Sequence, residues 1–235
     1  MSHKPEWIEK EKKHAALEAV KHVKDGFTVG LGSGSTAAYA IAEIGKRIEH
    51  EKLHVLGIPT SYQAFMLAVQ HCIPITTLEE HPMIDLTIDG ADQIDDELSL
   101  IKGMGGALAR EKIVASASKK LIIIADETKI VKVLGENGHP VPIEVLPFAA
   151  SLAMCRINKM GGIPRLREGK GKVGPVITDN GNVIIDADFG SVHMPAELER
   201  KLKSMPGVVE TGLFVKMVSV AYVGKHSTVE KLAPK

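Results

Sequence analysis

Four short stretches rich in Val, Ile and Leu, "FTVGLG" (27–32), "HVLGIP" (54–59), "DLTID" (85–89) and "LIIIAD" (121–126), alternate with segments of helical periodicity. Strands that are apolar at successive positions need cover on both faces, so they belong in a parallel sheet sandwiched between helices. The pattern predicts a doubly wound, Rossmann-like, mostly parallel α/β domain whose ligands lie at the carboxyl ends of its strands. A first helix is expected over 6–25, with Ala16, Leu17, Val20 and Val23 as its apolar stripe. Others are expected over 37–49 behind cap candidates Ser33 to Thr36, from Thr60 or Ser61 to His71, and over 107–120.

From about residue 134 the pattern changes. "VPIEVLP" reads as a strand, 148–160 as a helix and "IPRLR" as a strand. "PVITDNGNVIIDAD" reads as strand–turn–strand about Asn180-Gly181, followed by a helix over 195–204 and the strand "VVETGLF". The order β-α-β-β-α-β suggests a ferredoxin-like α+β unit. The last strand, "VSVAYVG" (218–224), is expected to return to the first sheet. The chain thus divides into an α/β catalytic domain (1–133 plus 209–235) and a smaller inserted domain (134–208).

Charge narrows the partners. The 29 Lys and Arg residues balance 29 Asp and Glu, so no net positive field favours nucleic acid or an anionic membrane. Two cysteines, Cys72 and Cys155, suggest neither a disulfide framework nor a thiolate metal site. The ten histidines include no pair at metal-ligand spacing, and the serines lack an obvious base. No signal-peptide core is visible, and no apolar run approaches the roughly 20 residues that cross a bilayer. A soluble, cytoplasmic protein is expected.

Two segments carry chemistry. "GLGSGST" (30–36) sits between a strand and a helix, where glycines and a helix N-terminus expose backbone N–H groups to an anion. Ser33, Gly34, Ser35 and Thr36 are its candidate ligands, with hydroxyls able to donate as well. Ser35 stands where a dinucleotide fingerprint needs its third glycine, and no lysine follows as in a P-loop. A serine-capped tight turn is the plainer reading of this loop alone. The second segment is "DLTIDGADQIDDELSLIKGMGGALAREKIV" (85–114). Asp89 ends a buried strand, and Gly90 allows a turn that brings Asp92 to the same side. Asp95 and Asp96 read as solvated or capping residues, and Ile94 stands where a calcium loop needs glycine. Lys102 enters a glycine-rich run able to face an oxyanion, and Glu111 opens the next helix. In isolation Glu111 would be a favourable helix-start charge and Lys102 a solvated lysine. Gathered at one sheet edge, these groups suit a sugar phosphate, with carboxylates for acid–base work and a lysine for developing negative charge. Proton transfer beside a carbonyl through an enediolate is the chemistry they fit.

The segments "GLGSGSTA", "PTS", "DLTIDGADQID", "LIKGMGGALAREKIVA" and "IIIADETK" resemble, in order and spacing, the type A ribose-5-phosphate isomerases. The likeness continues through "HPVPIEVLP", "ITDNGNVIID" and "PGVVETGLF", nearly the whole chain. The resemblance implies interconversion of ribose 5-phosphate and ribulose 5-phosphate in the pentose phosphate pathway, without metal or organic cofactor. It implies Glu111 as the base between C1 and C2, and Asp89 for ring opening and proton handling at the sugar oxygens. Lys102 would stabilise the enediolate and Asp92 would help position substrate and lysine. Ser33 to Thr36, Gly90, Ala91, Lys102, Gly103, Met104, Gly105 and Lys129 would bind substrate, with Lys12 a further candidate for the phosphate. Met104 departs from the commoner "KGGG" form, a strain if that backbone needs positive φ. The resemblance also implies a homodimer or homotetramer to which the inserted domain contributes. A non-catalytic sugar-phosphate sensor is the rival reading, although only 26 residues precede the first strand, too few for a helix-turn-helix.

Overall fold

The computed structural model describes residues 5–171 and 173–234. In chain order it runs α1 (Glu6–Val20), β1 (Thr28–Leu31), α2 (Gly34–Glu51), β2 (Leu56–Pro59), α3 (Tyr62–Gln70) and β3 (Leu86–Gly90). Then come β4 (Gln93–Ile94), β5 (Leu100–Ile101), α4 (Leu108–Ser116), β6 (Leu121–Asp126) and β7 (Val141–Val145). The remainder is α5 (Ala150–Lys159), β8 (Ile163–Leu166), β9 (Val183–Asp188), α6 (Pro195–Lys203), β10 (Val208–Thr211), β11 (Leu213–Phe214), β12 (Val220–Lys225) and β13 (Thr228–Leu232).

Two compact units result. The first takes in the chain through Ala91, Arg110–Lys129 and the segment from Met217 onward; the second holds Asp92–Ala109 and Ile130–Lys216. The second is larger than the 134–208 insertion drawn from sequence, because β4 and β5 form an antiparallel hairpin that pairs with β11.

The first unit is built on a six-stranded sheet in the order β13-β12-β6-β3-β1-β2. Of its five pairings four are parallel ladders, as the pattern predicts, and β13 closes the edge antiparallel to β12. Strands β1, β3 and β6 are buried along nearly their whole length, as their Val/Ile/Leu content requires. Helix α1 ends at Val20, five residues before the expected limit, and Ala15 and Ala19 share its buried face while Leu17 is only half-buried.

A titratable contact backs this sheet. His22 Nε2 lies 2.7 Å from the Tyr222 hydroxyl and its Nδ1 lies 3.4 Å from Lys120 Nζ. Burial, and then the Lys120 ammonium, hold the imidazole below the usual histidine range. The unfolded chain therefore binds the proton first as pH falls through the ordinary histidine value, and folding stability declines with it. Thermal melts should show a lower midpoint at pH 5.5 than at 7.5, and His22→Gln should flatten that dependence. An unchanged slope in the variant would remove His22 as its source.

The second unit contains the predicted β-α-β-β-α-β order, β7-α5-β8-β9-α6-β10, in an antiparallel sheet of order β10-β7-β9-β8. The Asn180-Gly181 turn is present, but its first limb makes only isolated bridges at Pro175 and Ile177. Buried Glu144 holds this turn, accepting from Thr178 Oγ1 (2.9 Å), Asn180 Nδ2 (3.0 Å) and Asn182 Nδ2 (2.8 Å). The expected single strand "VVETGLF" is split at Gly212, where a Cβ would lie 2.2 Å from the Lys102 carbonyl oxygen.

Candidate active site

In the first unit, the carboxyl ends of β1 and β3 meet at Asp89. This side chain is 1% exposed, and its Oδ1 accepts from the Ser33 amide (3.0 Å) and the Gly90 amide (2.7 Å). Gly32 is required there, since a Cβ would sit 2.2 Å from Asp89 Oδ1. The next turn uses Gly34 at φ 93°, a left-handed conformation suited to glycine.

Ser33 occupies the N-cap of α2 without capping it through its side chain. Its hydroxyl instead lies 2.8 Å from Thr60 Oγ1 and 2.5 Å from Ser61 Oγ, while Ser61 Oγ caps α3 by accepting from the Ala64 amide. The Gly34 amide donates to Gln63 Oε1 (2.9 Å). The start of α2 thus keeps the character of an anion site, with amides and the positive helix end together. Lys12 reaches the same turn from α1. It is 1% exposed, with Nζ 2.7 Å from Glu9 Oε1 and 3.3 Å from Ser35 Oγ. Tyr39 fixes Glu9 in turn by donating to Oε2 at 2.9 Å.

Glu111, 5% exposed, lies in the first turn of α4. One turn later Val114 packs against Ile58 and Ile84, so closely over β1 that a Cβ on Gly30 would meet Val114 Cγ1 at 2.6 Å. A helix crossing back over a parallel sheet starts beside the strands' carboxyl ends, which is where this register sets Glu111. Lys129 ends a 3-10 turn, Glu127–Lys129, that follows directly from β6.

In the second unit, Lys102 follows β5 and is 3% exposed. Its amide donates to the Gly212 carbonyl (2.8 Å), and Nζ stands 5.4 Å from the centre of the Phe214 ring. The Asp92 amide donates to the Ile101 carbonyl (2.9 Å), and Asp92 Oδ2 accepts from the Met104 amide (3.0 Å). Positive φ falls on Gly103 (103°) and Gly106 (83°), not on Met104, so a side chain at 104 carries no backbone strain. That side chain is half exposed.

Sequence reasoning missed Arg167. It donates through Nη1 to the carbonyls of Gly103 (2.9 Å) and Met104 (3.0 Å), while Nε and Nη2 engage Asp186. This fork holds two successive carbonyls of the glycine-rich turn, leaving the amides to face elsewhere. An arginine just after β8 and 63 residues away offers no local signal of that task. Gln63 escaped as well, and Thr60 and Ser61 were read only as caps.

The architecture finds direct counterparts. A family model described as "Ribose 5-phosphate isomerase A (phosphoriboisomerase A)" matches residues 56–228. The ribose-5-phosphate isomerase A of Methanococcus aeolicus is 50% identical over 220 residues, 93% of each chain. This chain belongs to the ribose 5-phosphate isomerase A family. Among solved structures, the isomerase A of Methanocaldococcus jannaschii matches with a TM-score of 0.91 at 48% identity, covering 94% of this chain and 97% of the other. A D-ribose-5-phosphate isomerase in complex with phospho-erythronic acid matches with a TM-score of 0.94 at 43% identity, covering 96% and 99%.

Proposed function

We propose that this isomerase interconverts ribose 5-phosphate and ribulose 5-phosphate through an enediolate, with the following division of labour. Asp89 assists opening of the sugar ring and moves protons at the sugar oxygens. Glu111 takes the proton from C2 of the open aldose, leaving an enediolate with its charge on O1, and returns it to C1. The hydroxyl proton passes from O2 to O1, so the aldehyde at C1 becomes a ketone at C2 and no redox partner is consumed. Lys102 stabilises the enediolate oxygen, and Asp92 helps to position the substrate and the turn it braces. Ser33 to Thr36, Lys12 and Lys129 take the phosphate end, and Gly90, Ala91 and Gly103 to Gly105 line the sugar.

The observation that carries the reading is Lys12, a buried ammonium paired with Glu9 and 3.3 Å from Ser35 Oγ in the first turn of α2. A lysine held at a helix N-terminus whose cap hydroxyl is turned away is set for a phosphate rather than for packing. The proposal includes a cytoplasmic homodimer or homotetramer, with the smaller unit contributing to assembly. Among the described residues no helix is long and apolar enough to cross a membrane.

The test is turnover of ribose 5-phosphate by purified protein in chelator, followed as ketose formation. Lys12→Met should raise KM about tenfold or more, from a lost charged hydrogen bond of roughly 1.5–3 kcal/mol, and leave kcat within a few-fold. Tight binding without conversion by the folded wild-type protein would replace the enzyme with the sensor.

A further inference from the structure

Away from the groups assigned to the substrate, the first unit brings Glu11, Glu127 and His226 together from α1, the 3-10 turn after β6 and the β12–β13 turn. One ligand atom from each lies within 4.8 Å of the others. Glu11 is fully buried, and its carboxylate accepts from the backbone amides of His226 (2.6 Å) and Glu127 (3.3 Å). His226 Nδ1 stands 3.9 Å from Glu11 Oε1 and 3.7 Å from Glu127 Oε1.

Two features of this cluster go beyond a turn held by a carboxylate. Among the described residues, neither Glu11 nor Glu127 has a lysine or arginine within ion-pair distance, and Lys225, next to His226, commits its ammonium to Glu230. Two carboxylates, one taken wholly out of water, therefore lie together with an exposed imidazole beside them and the Lys225 ammonium shared with Glu230, an arrangement that a bound cation would stabilise. The spacing is the second feature. At 3.7 and 3.9 Å the imidazole nitrogen is too far for a hydrogen bond to either carboxylate. Atoms sharing one tetrahedral ion with bonds of about 2.1 Å lie roughly 3.4 Å apart, so the two imidazole–carboxylate separations need shorten by only a few tenths of an ångström to share one. Trp7 stacks on the His226 ring (centroids 6.4 Å apart, 24° between planes), and the His226 backbone is held at φ 49°. The His226 side chain is 84% exposed, which leaves an ion reachable from solvent with a position for water.

From this geometry we propose that Glu11, Glu127 and His226 form a site for a divalent transition-metal cation of the zinc type. One imidazole nitrogen and two carboxylate oxygens suit such an ion, with water as fourth ligand. It would fasten the N-terminal helix to the β12–β13 turn and to the end of β6, with no part in the proton transfer. Glu11 precedes Lys12, and Glu127 lies two residues before Lys129, so the same ion would steady the backbone that carries both lysines.

The test uses full-length, tag-free protein stripped with chelator, dialysed and titrated with zinc chloride by calorimetry, with thermal melts in parallel. Glu11→Gln risks the fold, because the carboxylate holds two amides, so the informative variants are His226→Asn and Glu127→Gln. Asparagine tolerates the left-handed backbone at 226, and glutamine retains the amide at 127. The wild type should bind one equivalent and melt at higher temperature with zinc. Each variant should bind at least tenfold more weakly and lose most of the zinc-dependent shift while its metal-free melt stays close to wild type. No binding by the wild type, or equal affinity in both variants, would overturn the site, the latter outcome placing the ion on other surface histidines.

Discussion

Glu111→Gln is expected to lower kcat for ribose 5-phosphate by at least about 10²-fold, within the roughly 10²–10⁴ that a positioned general base contributes. Glutamine preserves the size of the side chain, and the amide cannot accept the C2 proton. Glu111 is 5% exposed in the first turn of α4, where the packing of Val114 against Ile58 and Ile84 fixes the helix independently of the carboxylate. KM should therefore change little, because phosphate and sugar contacts remain. Steady-state kinetics beside a thermal melt separates lost chemistry from lost fold. Near-normal kcat in a folded variant would move the base elsewhere, and Asp89, a buried carboxylate of that unit at a strand's carboxyl end, would be tested next.

Lys102→Ala is expected to lower kcat by about 10²–10³, the loss typical when one preorganised donor to a developing oxyanion is removed, with a smaller rise in KM. The split matters because the enediolate charge exists only along the reaction path, so a group aimed at it contributes to kcat rather than to ground-state binding. The backbone should tolerate the change. The Lys102 amide keeps its bond to the Gly212 carbonyl, and the 102–106 turn retains its brace of Asp92 on one side and Arg167 on the other. Losing the ammonium over Phe214 removes up to about 2 kcal/mol of cation–π attraction, visible as a lower melting temperature without loss of fold. A rise in KM with kcat unchanged would make Lys102 a binding residue only.

Much of this was legible in the sequence for definite physical reasons. Continuous apolar strands separated by helical periods admit few arrangements other than a covered parallel sheet, and strand ends then point to where ligands bind. "GLGSGST" offered an anion-binding turn beside the plainer reading of a serine-capped one, because glycines between a strand and a helix leave backbone amides open to an anion. Boundaries were less legible. Helix α1 stops at Val20 and the 218–235 tail adds β13, outcomes set by packing rather than by pattern. The extent of the second unit was hidden because β4 and β5 are two residues each, too short for a period, and acquire their strand character from pairing with β11.

What the sequence by itself determined is the fold class, the glycine turns and the family resemblance, with Asp89, Lys102 and Glu111 as candidates, since each follows from local pattern or motif order. Tertiary structure alone decided that positive φ falls on Gly103 and not Met104, that Arg167 braces the turn, and that Lys12 is buried against Ser35. It alone gathered Glu11, Glu127 and His226, which lie 116 and 215 residues apart from the first of them. The reason is range: propensity and periodicity act over a few residues, whereas burial, charge pairing and ligand geometry depend on which distant segments the folded chain brings together.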